Sequence, residues 1–306
     1  MSNEREAEKA AKEFRKKYKL GTQPLGDIVT LIEQTVGHDV AIIDADDDEH
    51  GMTMRDPESG TIFIAVAATP HPMRQRSSLA HELAHIIFGD WGETDREDYS
   101  RRTPEEIRAD AFARHLLIPK KGLKEFLDAA PRRSPEITER TLSEVVQRFL
   151  VSPAIAAIVL RDLGCIDEDR RKQWGKLKSR KLATRFGWVD MYDAMSESSQ
   201  RTKAPRNLLA RAIGGYTEGV VSLQTVANLR GVSAEEVQAE FEESGIVPVQ
   251  DDVAWASADE LPEVDIDLSD LDDLGDEDSP GPIHPDGREG LDSSQATWRR
   301  KRHALA

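Results

Sequence analysis

Residues 79–90 read LAHELAHIIFGD, and the five at 81–85, HELAH, decide how the rest of the chain is read. Two histidines at i and i+4, with a glutamate directly after the first, form the HExxH pattern of zinc hydrolases. Residues four apart share one face of a helix, so His81 and His85 can grip a single metal ion. At about 100° per residue, Glu82 falls beside that face. It would flank the ion rather than bind it, and take a proton from an attacking water. Leu79, Leu83, Ile86 and Ile87 recur at helical spacing and predict a helix that buries one side. Ser77 or Ser78 is expected to cap its start and Gly89 to end it.

A catalytic zinc takes three protein ligands and keeps a fourth position for water. Thr103-Pro104-Glu105-Glu106 opens the next helix, with Thr103 as cap, Pro104 in the first turn and Glu106 completing a capping box. Glu106 lies 21 positions after His85, enough chain to leave the first helix, turn through residues 91–102 and return antiparallel. Glu106 and Asp110 again share a face. Glu106 is the expected third ligand, and Asp110 is placed to accept the free ring N–H of a ligating histidine. Phe112, Leu116 and Ile118 are left for packing before Pro119. His115, nine positions after Glu106, falls on the far side and reads as a packing or surface histidine. In the polar stretch WGETDREDYSRR, Tyr99 is a candidate stabiliser of an oxyanion.

HELAH followed by EIRADAFARHLLIP resembles the ImmA/IrrE family of zinc metallo-endopeptidases, whose pattern is HExxH, then E-x-x-A-[ND]-x-F-A, then LL-x-P. The likeness covers about residues 25 to 120. It implies a zincin-like domain with one catalytic Zn2+, held by His81, His85 and Glu106 in a gluzincin-like set, with Glu82 as base. Ala84 stands where glycine is usual, and Asp110 where asparagine is common. The resemblance further implies a narrow protein substrate: a cytoplasmic helix-turn-helix repressor, cut to derepress stress, mobile-element or phage genes.

The remaining composition bounds these expectations. A length of 306 residues suggests about two domains. The single cysteine, Cys165, excludes a disulfide framework and a Cys-based zinc site, and suits a reducing cytoplasm. No apolar run approaches the roughly 20 residues of a membrane span, and the first residues show no apolar signal core. The net charge of −16 is misleading if read globally. Residues 251–290 carry 15 acidic residues against one basic, Arg288, and the rest of the chain holds 42 acidic and 40 basic. The folded part is nearly neutral, so nucleic-acid binding is not excluded by charge.

The expected fold class is α+β. Residues 1–125 read as the zincin-like domain: a charged helix over 3–19, a second over 25–36, strands near 40–43, 52–54 and 61–67, then the HExxH helix. The strand at 61–67 has two readings, an edge strand that pairs with an extended substrate or plain sheet core. Residues 126–247 read as helical, with helix-turn-helix-like pairs at 141–163 and 222–237. The second helix of the first pair, PAIAAIVLRDLG, is nearly all apolar and favours packing over DNA contact. Eight basic residues between Arg170 and Arg185, with Trp174 among them, could engage phosphates, though a solvated face is the commoner use. Residues 248–306 are acidic and poor in large apolar residues, the composition of a disordered tail. These helical pairs and the basic run motivate an alternative function: a DNA- or protein-binding transcriptional regulator that keeps the zinc fold as scaffold.

Overall fold

The computed structural model describes residues 3–45, 51–55, 60–90, 103–129 and 136–249. The fold class is α+β, with one small sheet among many helices. Helix α1 (Asn3–Lys17) buries Ala7, Ala11 and Phe14, the face that helical spacing predicts, and packs on α4 (Pro104–Leu117). The expected helix over 25–36 starts later and changes type. Asp27 caps α2 (Ile28–Leu31) through the Val29 N–H, and a π turn over Ile32–Val36 follows before Gly37 at φ 78°. A turn of that kind accommodates one extra residue in the helix.

Three strands follow: β1 (Asp39–Ile43), β2 (Gly51–Arg55) and β3 (Ile62–Ala67). Their order is β1-β3-β2, with β1 parallel and β2 antiparallel to β3. The apolar β3 is therefore the middle strand, bonded on both sides, and its reading as an edge for substrate is corrected to sheet core. A strand with both faces covered needs apolar residues throughout, and Ile64, Ala65 and Val66 are all buried. The outer edge of β1 makes one bridge, Ile42 with Lys203. Among the described residues nothing pairs with the outer edge of β2.

The HExxH helix, α3, runs Pro72–Phe88 and so begins five residues before the serines expected to cap it. His71 is the residue ahead of its first turn, Pro72 occupies the first position, and Ser77 lies within the helix, its hydroxyl bonded to the Met73 carbonyl. A proline needs no amide partner there, which makes it a start signal as strong as a serine cap. The expected end stands: Gly89 adopts φ 72°. Thr103 caps α4 through the Glu106 N–H, also as expected.

Beyond these lie α5 (Lys120–Ala129), α6 (Glu139–Phe149), α7 (Pro153–Asp162), α8 (Glu168–Gly175), α9 (Ser179–Phe186) and α10 (Val189–Ser199). One continuous cluster of buried side chains joins them to the sheet, from Ala7 through Leu83, Phe112, Leu123, Leu142 and Leu160 to Tyr192. Helices α6 and α7 meet at 109° across a three-residue turn, and α7 buries Ala156, Ala157, Val159 and Leu160 in that core. A second, smaller core of Ala212, Val226, Ala227, Val237 and Phe241 holds α11 (Arg206–Thr217), α12 (Leu223–Arg230) and α13 (Ala234–Glu243) together. The expected tail lies outside the described residues, apart from its first two. Among the described residues no single helix is long and apolar enough to cross a membrane.

Candidate metal centre

Helix α3 buries Leu79, Ala80, Leu83 and Ala84, which turns His81 and His85 toward α4. There the side chain of Glu106 reaches both imidazoles. His81 Nε2 lies 3.1 Å from Glu106 Oε2 and 3.1 Å from His85 Nε2, and His85 Nε2 lies 3.7 Å from Glu106 Oε1. One ligand atom from each of the three residues falls within 4.8 Å of the others. Zinc holds tetrahedral ligands at about 2.0–2.1 Å, so two ligand atoms on one ion stand about 3.3 Å apart. The three separations bracket that figure, and two imidazoles with one carboxylate are a donor set that suits zinc. The residues present fit such an ion.

A carboxylate faces the second nitrogen of each imidazole. Asp110 Oδ1 lies 2.9 Å from His81 Nδ1, which leaves Nε2 with a free lone pair toward the centre. His85 Nδ1 faces Asp90 at 3.7 Å. Burial, and after it the neighbouring His81, hold the His85 pKa below the ordinary histidine value, which favours the neutral ring that a metal requires.

Glu82 is 7 % exposed, and its carboxylate is held by β2. The Thr53 hydroxyl donates to its Oε2 at 2.8 Å and so fixes the direction of the carboxylate. Gly51 makes that approach possible: a Cβ there would sit 2.8 Å from Glu82 Oε1 and 2.9 Å from its Cγ. Gly51→Ala is accordingly expected to push the carboxylate aside. Hydrolysis should fall about 10- to 100-fold at unchanged metal content, as read from turnover and metal analysis side by side. An unaltered rate would mean that β2 does not set the position of Glu82.

Thr53, Gly51 and Asp90 are not among the site residues that the sequence predicts. Asp90 had a local signal, since it directly follows the glycine that ends α3. Thr53 and Gly51 had none, because only the pairing of β2 with β3 brings them over α3. His115 is not part of the centre. It is buried and bonded through Nε2 to Glu4 Oε1 at 2.8 Å, as a packing histidine. Tyr99 lies outside the described residues.

A sheet beside the helix that carries the two histidines, with a carboxylate supplied by the next helix, suits a metallopeptidase-type domain. Residues 33–161 match the family described as the IrrE N-terminal-like domain, Peptidase_M78, and this part of the chain is a domain of that ImmA/IrrE type. The matched stretch runs from the π turn after α2 to the end of α7. No match was found among curated proteins.

Proposed function

We propose that the chain is a zinc-dependent endopeptidase with one catalytic Zn2+ held by His81, His85 and Glu106. The observation that carries this reading is the convergence of those three donors beside a buried, oriented carboxylate on the helix of the two histidines. Bound zinc lowers the pKa of a coordinated water and polarises a carbonyl. Glu82 accepts a proton from the attacking water and returns it to the leaving amine nitrogen. Asp110 keeps His81 in the tautomer that ligates. The outer edge of β2, unpaired among the described residues, lies next to Glu82 and suits an extended peptide, which would add to the sheet as a further strand.

The substrate in this reading is a helix-turn-helix repressor in the cytoplasm, cut to release stress, mobile-element or phage genes. The family supports a peptidase, and the single cysteine suits a reducing compartment. Two measurements test it. Purified protein should carry one zinc, and His81→Ala and Glu106→Ala should each lose it, by elemental analysis; zinc retained in either variant removes that residue from the ligand set. Purified repressors from the same genome, incubated with the zinc-loaded chain, should yield defined fragments by mass spectrometry and none with a chelator present. Cleavage of unfolded proteins in general, with repressors left whole, would replace the narrow substrate by a broad one.

The alternative is a DNA- or protein-binding regulator that uses the zinc fold as scaffold. It draws on the basic run in α8 and α9, but four of those eight cations are engaged with carboxylates: Arg170 with Glu136, Arg171 with Glu168, Arg180 with Asp193 and Arg185 with Glu139. Paired arginines have less charge to offer a phosphate backbone. Duplex binding with a steep salt slope would favour this alternative.

A further inference from the structure

We infer that Asp90 is the outer hydrogen-bond partner of His85, and that Arg108 is the residue that holds it there. The inference rests on the metallopeptidase reading. It concerns a residue that the HExxH pattern does not include.

The argument starts from the end of α3. Gly89, at φ 72°, reverses the chain, and the Asp90 N–H then bonds back to the His85 carbonyl at 2.9 Å. This helix-ending turn needs a left-handed residue, and glycine supplies it without strain. It brings residue 90 over residue 85, so the two meet twice, by backbone and by side chain. Asp90 Oδ2 lies 3.7 Å from His85 Nδ1. That atom is buried and, among the described residues, accepts no hydrogen bond. A buried carboxylate oxygen is costly to leave without a donor. A histidine that ligates through Nε2 carries its proton on Nδ1 and needs an acceptor. The two unmet needs face each other, and a shift of about 1 Å would close the gap to an ordinary hydrogen bond.

The other oxygen, Oδ1, accepts from Arg108 Nη2 at 2.7 Å. Arg108 is itself held on two sides: Nη1 contacts Glu6 Oε1 of α1 at 3.1 Å, and its guanidinium stacks over the Phe88 ring at 4.3 Å. Arg108 sits two positions after Glu106 on α4. The helix that supplies the third ligand therefore also steers the carboxylate behind the second one. His81 and His85 each acquire an outer carboxylate, Asp110 from α4 and Asp90 from the end of α3.

A plain ion pair between Asp90 and Arg108 would leave metal binding untouched, and the test separates the two roles. Full-length wild type, Asp90→Asn and Arg108→Gln are stripped of metal and titrated with zinc against a chromophoric chelator. Their cobalt(II) absorption spectra and the thermal unfolding of the metal-free forms are recorded alongside. Asparagine has a single carbonyl oxygen for two donors, Arg108 and His85, so Asp90→Asn should bind zinc about 10- to 100-fold more weakly and shift the cobalt bands. Arg108→Gln leaves the carboxylate in place but frees it, and should weaken zinc by about three- to tenfold. Should Asp90→Asn fail to fold, the Arg108→Gln titration decides alone. Zinc affinities within about threefold of wild type in the folded variants, with only the unfolding temperatures lowered, would overturn the inference and spare the metallopeptidase reading. Wild type that binds no zinc would overturn both.

Discussion

Glu82→Gln is expected to keep the metal and the fold and to lower the rate of peptide hydrolysis by about 10²- to 10⁴-fold, the usual contribution of a positioned general base. Glutamine has nearly the volume of glutamate, so the packing of a residue that is 7 % exposed is retained. Its amide can be turned so that the carbonyl oxygen still accepts the Thr53 hydroxyl, which now reaches Glu82 Oε2 at 2.8 Å. What is lost is the capacity to take up a proton. The ligands His81, His85 and Glu106 are untouched, so zinc content and unfolding temperature should match wild type while turnover falls. A variant that cleaves at the wild-type rate would remove Glu82 from the mechanism. Loss of zinc together with activity would instead make Glu82 a support for the site.

The second large effect is on stability. Arg76 lies on α3, five residues before His81, and is 9 % exposed. Its Nη2 donates to the Leu25 carbonyl at 2.7 Å, its Nη1 to the Gly26 carbonyl, and its Nε to the Leu150 carbonyl at 3.2 Å. One guanidinium thus ties the metal helix to the segment ahead of α2 and to the turn between α6 and α7. Leu150 in that turn has φ 54°, a left-handed conformation that carries a penalty for a residue with a side chain. The bond from Arg76 helps to hold it. Burial lowers the Arg76 pKa to about 10, so the group is still charged at neutral pH. Arg76→Met keeps the length and removes every donor. The Leu25 carbonyl is buried and those of Gly26 and Leu150 are only partly so; a buried carbonyl left without a partner costs about 1–3 kcal/mol and the others less, a loss of about 3 kcal/mol in all. For a chain of this size that corresponds to a fall of about 10 °C in Tm. A change below about 2 °C would show that water replaces the guanidinium at all three carbonyls.

The two effects bear on different kinds of information. The ligands of the proposed centre and the outer carboxylate of His81 are legible in the sequence because they come in two pairs at i, i+4, His81 with His85 and Glu106 with Asp110, and that spacing sets an angle on a helix regardless of what surrounds it. The end of α3 at Gly89 and the cap of α4 at Thr103 are legible for the same reason: each depends on a few adjacent residues. The start of α3 is less legible because two local signals compete, a proline at 72 and serines at 77 and 78, and the apolar pattern alone does not say which one wins.

Residues far apart in the chain carry no such periodic signal. Thr53 and Glu82 are 29 positions apart, and Arg76 and Leu150 are 74 apart. That β3 became the middle strand, and β2 the one laid against Glu82, depends on which strand pairs with which; an apolar run of six residues is compatible with either place. Asp90 stands between the two cases. Its turn back over His85 is local, but the carboxylate is aimed by Arg108 from another helix. Spacing along a helix determined which groups could share a metal ion. Packing of α3 against β2 and α4 determined how those groups are held, because direction in space is set by contacts that only the closed chain makes.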